Sequence, residues 1–152
     1  MPEPQPPVSL DSTLDLRGIA SVYSARGRVH VPGILSRASA QAAHQCLMNE
    51  VPWQLHCNDG ERSFDLGRDQ VSSLPEATQV LLHDRLVSNA ANGFQFLFDN
   101  FPLSDAHAQG RGEALYVMRV FEFLNSTPFL DFARQVTGAT DISFADAQAT
   151  LY

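Results

Sequence analysis

The stretch Asp141-Ile-Ser-Phe-Ala-Asp-Ala-Gln-Ala-Thr-Leu-Tyr152 constrains the fold more than any other part of the chain. Its residues separate by parity into two faces. Ala145, Ala147, Ala149 and Leu151 make a small apolar face, and Asp146, Gln148, Thr150 and Tyr152 make a polar one. A period of two is that of a β-strand, so the pattern predicts one strand over 141–152. A strand that packs tightly on one side and is polar on the other suits the wall of a ligand cavity. Its ladder groups need partners. The pattern therefore predicts a cavity-bearing β fold, with strands beyond this sequence expected to complete it.

The rest of the chain reads as helices and short strands. Residues 1–12 form a Pro-rich tail expected to be disordered, ahead of a domain over 13–152. Leu16, Ile19, Ala20 and Tyr23 share a helical face, which Gly27 ends. Arg28-Val-His-Val31 alternates as a short strand before Pro32-Gly33. Ser36 suits the N-cap of a helix running to about Asn49, with Ala40, Ala43 and Leu47 buried. Leu55 and Cys57 alternate with Gln54 and His56, Asn58-Asp-Gly60 signals a turn, and Phe64 and Leu66 return. That is a hairpin.

A helix is expected from near Ser73, with Pro75 in its first turn, burying Val80, Leu81, Leu82, Leu86, Val87 and Ala90. Phe94, Phe96 and Phe98 predict a strand, and 102–112 a loop. Leu115, Met118, Phe121 and Leu124 predict a helix over 113–125. Thr127-Pro128 starts another that stops at Thr137-Gly138. Uniform strand–helix alternation, Gly-x-Gly-x-x-Gly and a phosphate loop are absent, which argues against a Rossmann arrangement.

The net charge of −7 disfavours a phosphate backbone, so nucleic acid is not an expected partner. No apolar run approaches the ~20 residues of a membrane span. The first residues lack the pattern of a signal peptide, and the expected location is cytoplasmic. Cys46 and Cys57 form no Cys-x-x-Cys pair and read as free thiols. The five His show no ligand spacing. His56-Cys57-Asn58-Asp59 is the densest candidate cluster, against the plainer reading of a surface hairpin. His83, beside Asp84 and Arg85, reads as a solvated helical face. Nothing pairs either Cys with a base that would make it a nucleophile. Gln148 and Tyr152 share a strand face and could offer an amide and a phenol to a carboxylate-bearing ligand; an ordinary exposed sheet face is the alternative.

Several segments carry a likeness in order: Gly27-Arg-Val-His-Val-Pro-Gly-Ile-Leu35, Trp53, Gly93-Phe-Gln-Phe-Leu-Phe98, Phe123-Leu-Asn-Ser-Thr-Pro-Phe-Leu130, Val136-Thr-Gly138 and Phe144-Ala-Asp-Ala-Gln-Ala-Thr-Leu-Tyr152. Together, over about residues 20–152, the chain resembles bacterial 2-oxoglutarate/iron(II)-dependent dioxygenases of the prolyl 4-hydroxylase type. The resemblance implies an α+β fold: a helical scaffold and the first strands of a double-stranded β-helix, or jelly roll, truncated before the iron-binding strands. It matches Tyr152 to the tyrosine at the family's cosubstrate pocket and Gln148 to a pocket-lining position.

For a complete domain the resemblance implies iron(II), 2-oxoglutarate and ascorbate, with a protein or peptide or a free amino acid as substrate. The His-x-Asp pair, the distal His and the basic residue that the family uses would lie beyond Tyr152. No catalytic or metal-ligating residue is therefore expected within this chain, which alone would be inactive. Two other readings stand beside this one: a non-catalytic interaction module, and an unrelated small α+β binding domain. The exposed last strand suggests self-association by strand pairing.

Overall fold

The computed structural model describes residues 5–152. In chain order its elements are α1 (Leu16–Arg26), α2 (Arg37–Asn49), β1 (Gln54–Asp59), β2 (Arg62–Gly67), α3 (Arg68–Ser72), α4 (Glu76–Asn92), β3 (Leu97–Pro102), α5 (Leu103–Ala108), α6 (Tyr116–Leu124), α7 (Thr127–Thr137) and β4 (Gln148–Leu151). The fold is α+β, with one antiparallel sheet in the order β2-β1-β3-β4. Two compact units share the chain. One runs through Glu50 and takes up again over Leu103–Ala147; the other is Val51–Pro102 with Gln148–Tyr152.

In the helical unit, local signals set the boundaries. The Asp15 carboxylate accepts from the Gly18 N–H and opens α1. Gly27 closes it at φ 65°, a left-handed conformation that glycine adopts without a Cβ clash. The Ser36 hydroxyl caps α2 through the Ser39 N–H. α1 packs on α7, and α6 packs on α2, α5 and α7. Tyr116, Val117, Met118 and Phe121 of α6 join Cys46, Leu103, Ala106, Leu130 and Val136 in the core.

The buried face of α2 differs from the expected one. Ala40 is exposed, Ala43 and Leu47 are half-buried, and Ser39 and Cys46 are fully buried. Ser39 is tolerated there because its hydroxyl is fully used. It accepts from the Ser9 N–H, bonds the Ser36 hydroxyl at 2.7 Å and donates to the Pro7 carbonyl. The same bonds bear on the expected tail. Residues 1–4 lie outside the described residues, while Pro7–Asp11 are tied down by Ser39 and by backbone bonds to Ile34 and Ser36. Arg28-Val-His-Val31, expected as a strand, belongs to no ladder among the described residues; the bridge in this region joins Leu10 to Leu35.

In the sheet unit, β1 and β2 form the expected hairpin. Gly60 carries φ 63° at the first of its two turn residues, where the twist of the strands demands a positive angle. α3 and α5 fall where no helix was expected, α5 occupying much of the predicted 102–112 loop. β3 begins at Leu97, so Phe94 and Phe96 precede the ladder. Along α4 only one stripe, including Leu82 and Leu86, turns toward the hairpin; Val80, Leu81, Val87 and Ala90 are exposed, against expectation.

The last strand is also shorter than its alternation suggests. Only Gln148–Leu151 pairs in a ladder. Residues 142–147 are held by side chains instead. Arg134 donates twice to the Ile142 carbonyl, Asn125 bonds Ala145, and the Ser104 hydroxyl accepts from the Ala147 N–H. No helix among the described residues is long and apolar enough to cross a membrane.

Candidate functional site

The hairpin register does the first work. With Gly60-Glu61 at the turn, Asp59 pairs Arg62, and His56 falls opposite Asp65. The β1–β3 register places Phe98 on the other side of His56. Asn100, two residues further along β3, lies opposite Gln54 and Thr150. Side chains on paired residues share a sheet face. One face of the sheet thus carries Asp65, His56, Phe98 and Asn100. From β4 it carries Gln148, Thr150 and, just past the ladder, Tyr152.

The contacts agree with the register. His56 Nδ1 lies 2.6 Å from Asp65 Oδ1. Its ring stacks on Phe96 at 4.9 Å between centroids and 20° between planes, and it meets Phe98 at 5.1 Å. Phe98 in turn meets Tyr152 at 5.4 Å. Such ring pairs contribute about 0.5–1.5 kcal/mol each beyond area burial. The result is a row of rings across β1, β3 and β4, with a carboxylate at one end and a phenol at the other. Tyr152 is 93% exposed. Asn100 is only 6% exposed, and its Oδ1 has no hydrogen-bond partner among the described residues.

A carboxylate can only accept, so it is His56 Nδ1 that donates to Asp65 Oδ1. No Lys or Arg stands at any strand position of this face, and its one carboxylate is that of Asp65. Gln148 and Tyr152 do share the face, as their parity requires. Thr150 lies between them, and they are roughly 13 Å apart along the strand. They mark two ends of a stripe and do not converge on one point.

The candidate cluster His56-Cys57-Asn58-Asp59 is dispersed by the pleat. His56 joins the ring row. Cys57 turns to the opposite face and lines a cavity of about 240 Å³ with Phe64, Leu66, Leu82 and Leu86. Burial pushes its thiol up, and the Asp65 and Asp59 charges add to this. Asn58 is buried, donating to the Gly60 and Phe94 carbonyls and accepting from the Phe96 N–H. Asp59 bonds Arg85 at 2.6 Å and Asn89 at 3.0 Å, and those two bonds, the Asn89 one foremost, hold its carboxyl below the usual range. In the helical unit Cys46 is fully buried, and burial raises its thiol likewise.

Among the described residues no group of three or more His, Cys, Asp or Glu could hold a metal ion. The residue of this face that the sequence alone does not single out is Asp65. The signal for it was present, since a two-residue turn at Gly60-Glu61 dictates the His56–Asp65 pairing. Compared with known proteins, the chain matches no family model, no curated protein and no solved structure.

Proposed function

We propose that this chain is the N-terminal part of a 2-oxoglutarate- and iron(II)-dependent oxygenase of the prolyl hydroxylase type, supplying scaffold and one wall of the cosubstrate pocket. The reading rests on the sequence resemblance over about residues 20–152. The observation that carries it is the placement of Gln148 and Tyr152 on one face of β4, beside the ring of Phe98. A cosubstrate wall needs that parity.

The residues present do not themselves fit either small group. His56 has one carboxylate neighbour, Asp65, and a facial site needs three ligands with open positions beside them. A 2-oxoglutarate dianion would find neutral donors at Gln148 and Tyr152, but no cation on this face. In this reading both deficits are met by residues outside Met1–Tyr152, and the chain by itself carries no turnover.

Two measurements test it. The gene read past the Tyr152 codon, in any frame, is expected to encode Pro-Gly and then His-x-Asp within about a dozen codons. Non-coding or unrelated sequence there in every frame overturns the reading. The purified chain with iron(II), 2-oxoglutarate and ascorbate is expected to release succinate no faster than a blank. Turnover would show that the ligand set has been misplaced.

The ring row also favours a second reading, a binding module without chemistry. Its rings, half-buried at His56, Phe96 and Phe98 and exposed at Tyr152, suit a ligand laid across the sheet.

A further inference from the structure

We infer that the cavity between the β1–β2 hairpin and α4 is a binding site for a small, uncharged, flat aromatic molecule of about the size of indole. The inference does not rest on the oxygenase reading, and it concerns the sheet face opposite to His56. Register places one wall. Cys57 pairs Phe64 and Leu55 pairs Leu66, so Cys57, Phe64 and Leu66 share that face of the hairpin. Helical spacing places the other. Leu82, Arg85, Leu86 and Asn89 form one stripe of α4. The two walls enclose about 240 Å³.

Polar bonds join the two walls. Asp59 of β1 bonds Arg85 at 2.6 Å and Asn89 at 3.0 Å. No side chain of α4 is fully buried, and Leu82 and Leu86 stay half-buried across from the buried Cys57. Protein interiors leave few voids larger than a water molecule. A space of this size among Cys57, Phe64, Leu66, Leu82 and Leu86 therefore gains from an apolar occupant, because these side chains offer water no strong partner. Volume sets the size. A cavity of about 150 Å³ takes benzene, so 240 Å³ suits two fused rings. Shape favours a flat body, since the space lies between a helix and a sheet face, and the Phe64 ring offers it a stacking surface. Phe64 is also 42% exposed, which leaves a way in beside it. Charge favours a neutral ligand. The two charged residues of the lining, Asp59 and Arg85, are paired with each other, and an ionic ligand would lose its hydration for no net attraction.

The test uses the full chain without iron or 2-oxoglutarate, so its outcome is separate from that of the oxygenase reading. Indole is titrated while the methyl signals of Leu82 and Leu86 and the ring signals of Phe64 are followed by NMR. Benzene, and purine, which keeps the shape of indole but carries polar ring nitrogens, serve as comparison. Indole is expected to shift these signals and to leave those of Val117 and Val136, in the core of the helical unit, in place. It is expected to bind about fivefold more tightly than benzene and about tenfold more tightly than purine. Leu86→Phe puts a ring into the space and is expected to weaken indole about tenfold. The comparison among the three molecules needs no variant and keeps the test valid if Leu86→Phe perturbs α4. No shift on adding indole overturns the site. Equal binding of purine overturns its apolar character, and equal binding of benzene overturns the size assignment. Indole binding unchanged in Leu86→Phe, or shifts as large at Val117 and Val136, overturns the placement between the hairpin and α4.

Discussion

Asn125 grips Ala145 by both backbone groups: its Nδ2 donates to the Ala145 carbonyl at 3.0 Å, and its Oδ1 accepts from the Ala145 N–H at 2.9 Å. One side-chain amide thus does what a neighbouring strand would do. Asn125→Ala leaves both groups without that partner. It is expected to cost about 1–3 kcal/mol and to speed amide exchange over residues 142–147 ahead of α6 and α7. Asn125→Asp keeps the acceptor and loses the donor, so it should fall between the two in a denaturant titration.

Ser39→Ala removes a buried hydroxyl that serves Ser9, Ser36 and Pro7 at once. The expected loss is about 1–2 kcal/mol. A structural role limited to α2 would leave residues 5–11 as they were. The bonding seen here predicts that limited proteolysis opens that segment first.

Both thiols are pushed up by burial, which sets a pH dependence. From the ordinary value of 9.0 upward the unfolded chain gives up these protons while the folded chain keeps them. The folded form then binds more protons than the unfolded one, so stability falls as pH rises above about 9. Thermal melts of the wild type should drop across that range, and those of a Cys46→Ala, Cys57→Ala double variant should drop less. Native protein is expected to react slowly with a thiol reagent, and unfolded protein fast.

β4 stands at the sheet edge. The Ala147 carbonyl accepts from Leu103 and Ser104, on the β3 side. Alternation then points Ala149 and Leu151 toward β3, and Gln148 and Thr150 outward. Thr150→Pro removes an outward donor and spares the β3 ladder. If the edge pairs copies of the chain, light scattering will show association in the wild type and less in Thr150→Pro. A wild-type monomer at high concentration would dismiss edge pairing.

What could be read from the sequence was what local chemistry decides. α1, α2 and α7 appear with the caps expected at Gly27, Ser36 and Gly138, because a cap is settled within a turn of chain. The hairpin followed from Asn58-Asp-Gly60 for the same reason. Which face is buried depends on partners far away in sequence. Ser39 was passed over in favour of Ala40 because its hydroxyl is satisfied by residues thirty positions back. The expected strand over 141–152 is cut to Gln148–Leu151 because Asn125, Arg134 and Ser104 take the place of a ladder. At the site, period two gave the shared face of Gln148 and Tyr152. The company of His56 and Phe98 needed the β1–β3 register, which no local pattern encodes.

The path from β3 to β4 has a consequence for assembly. β3 and β4 are neighbours in the sheet, yet everything from Leu103 to Ala147 is threaded between them. β2, β1 and β3 belong to one continuous stretch; β1 and β2 can zip early through a two-residue turn, and β3 follows after α3 and α4. β4 can join only after a long excursion has closed, and the closure entropy opposes that step. The ring row is therefore completed last, with Tyr152 reaching Phe98 only when the final segment arrives. A nascent chain would hold the floor of the site well before its outer wall, and pulsed amide exchange during refolding should show β1 and β2 protected ahead of β4.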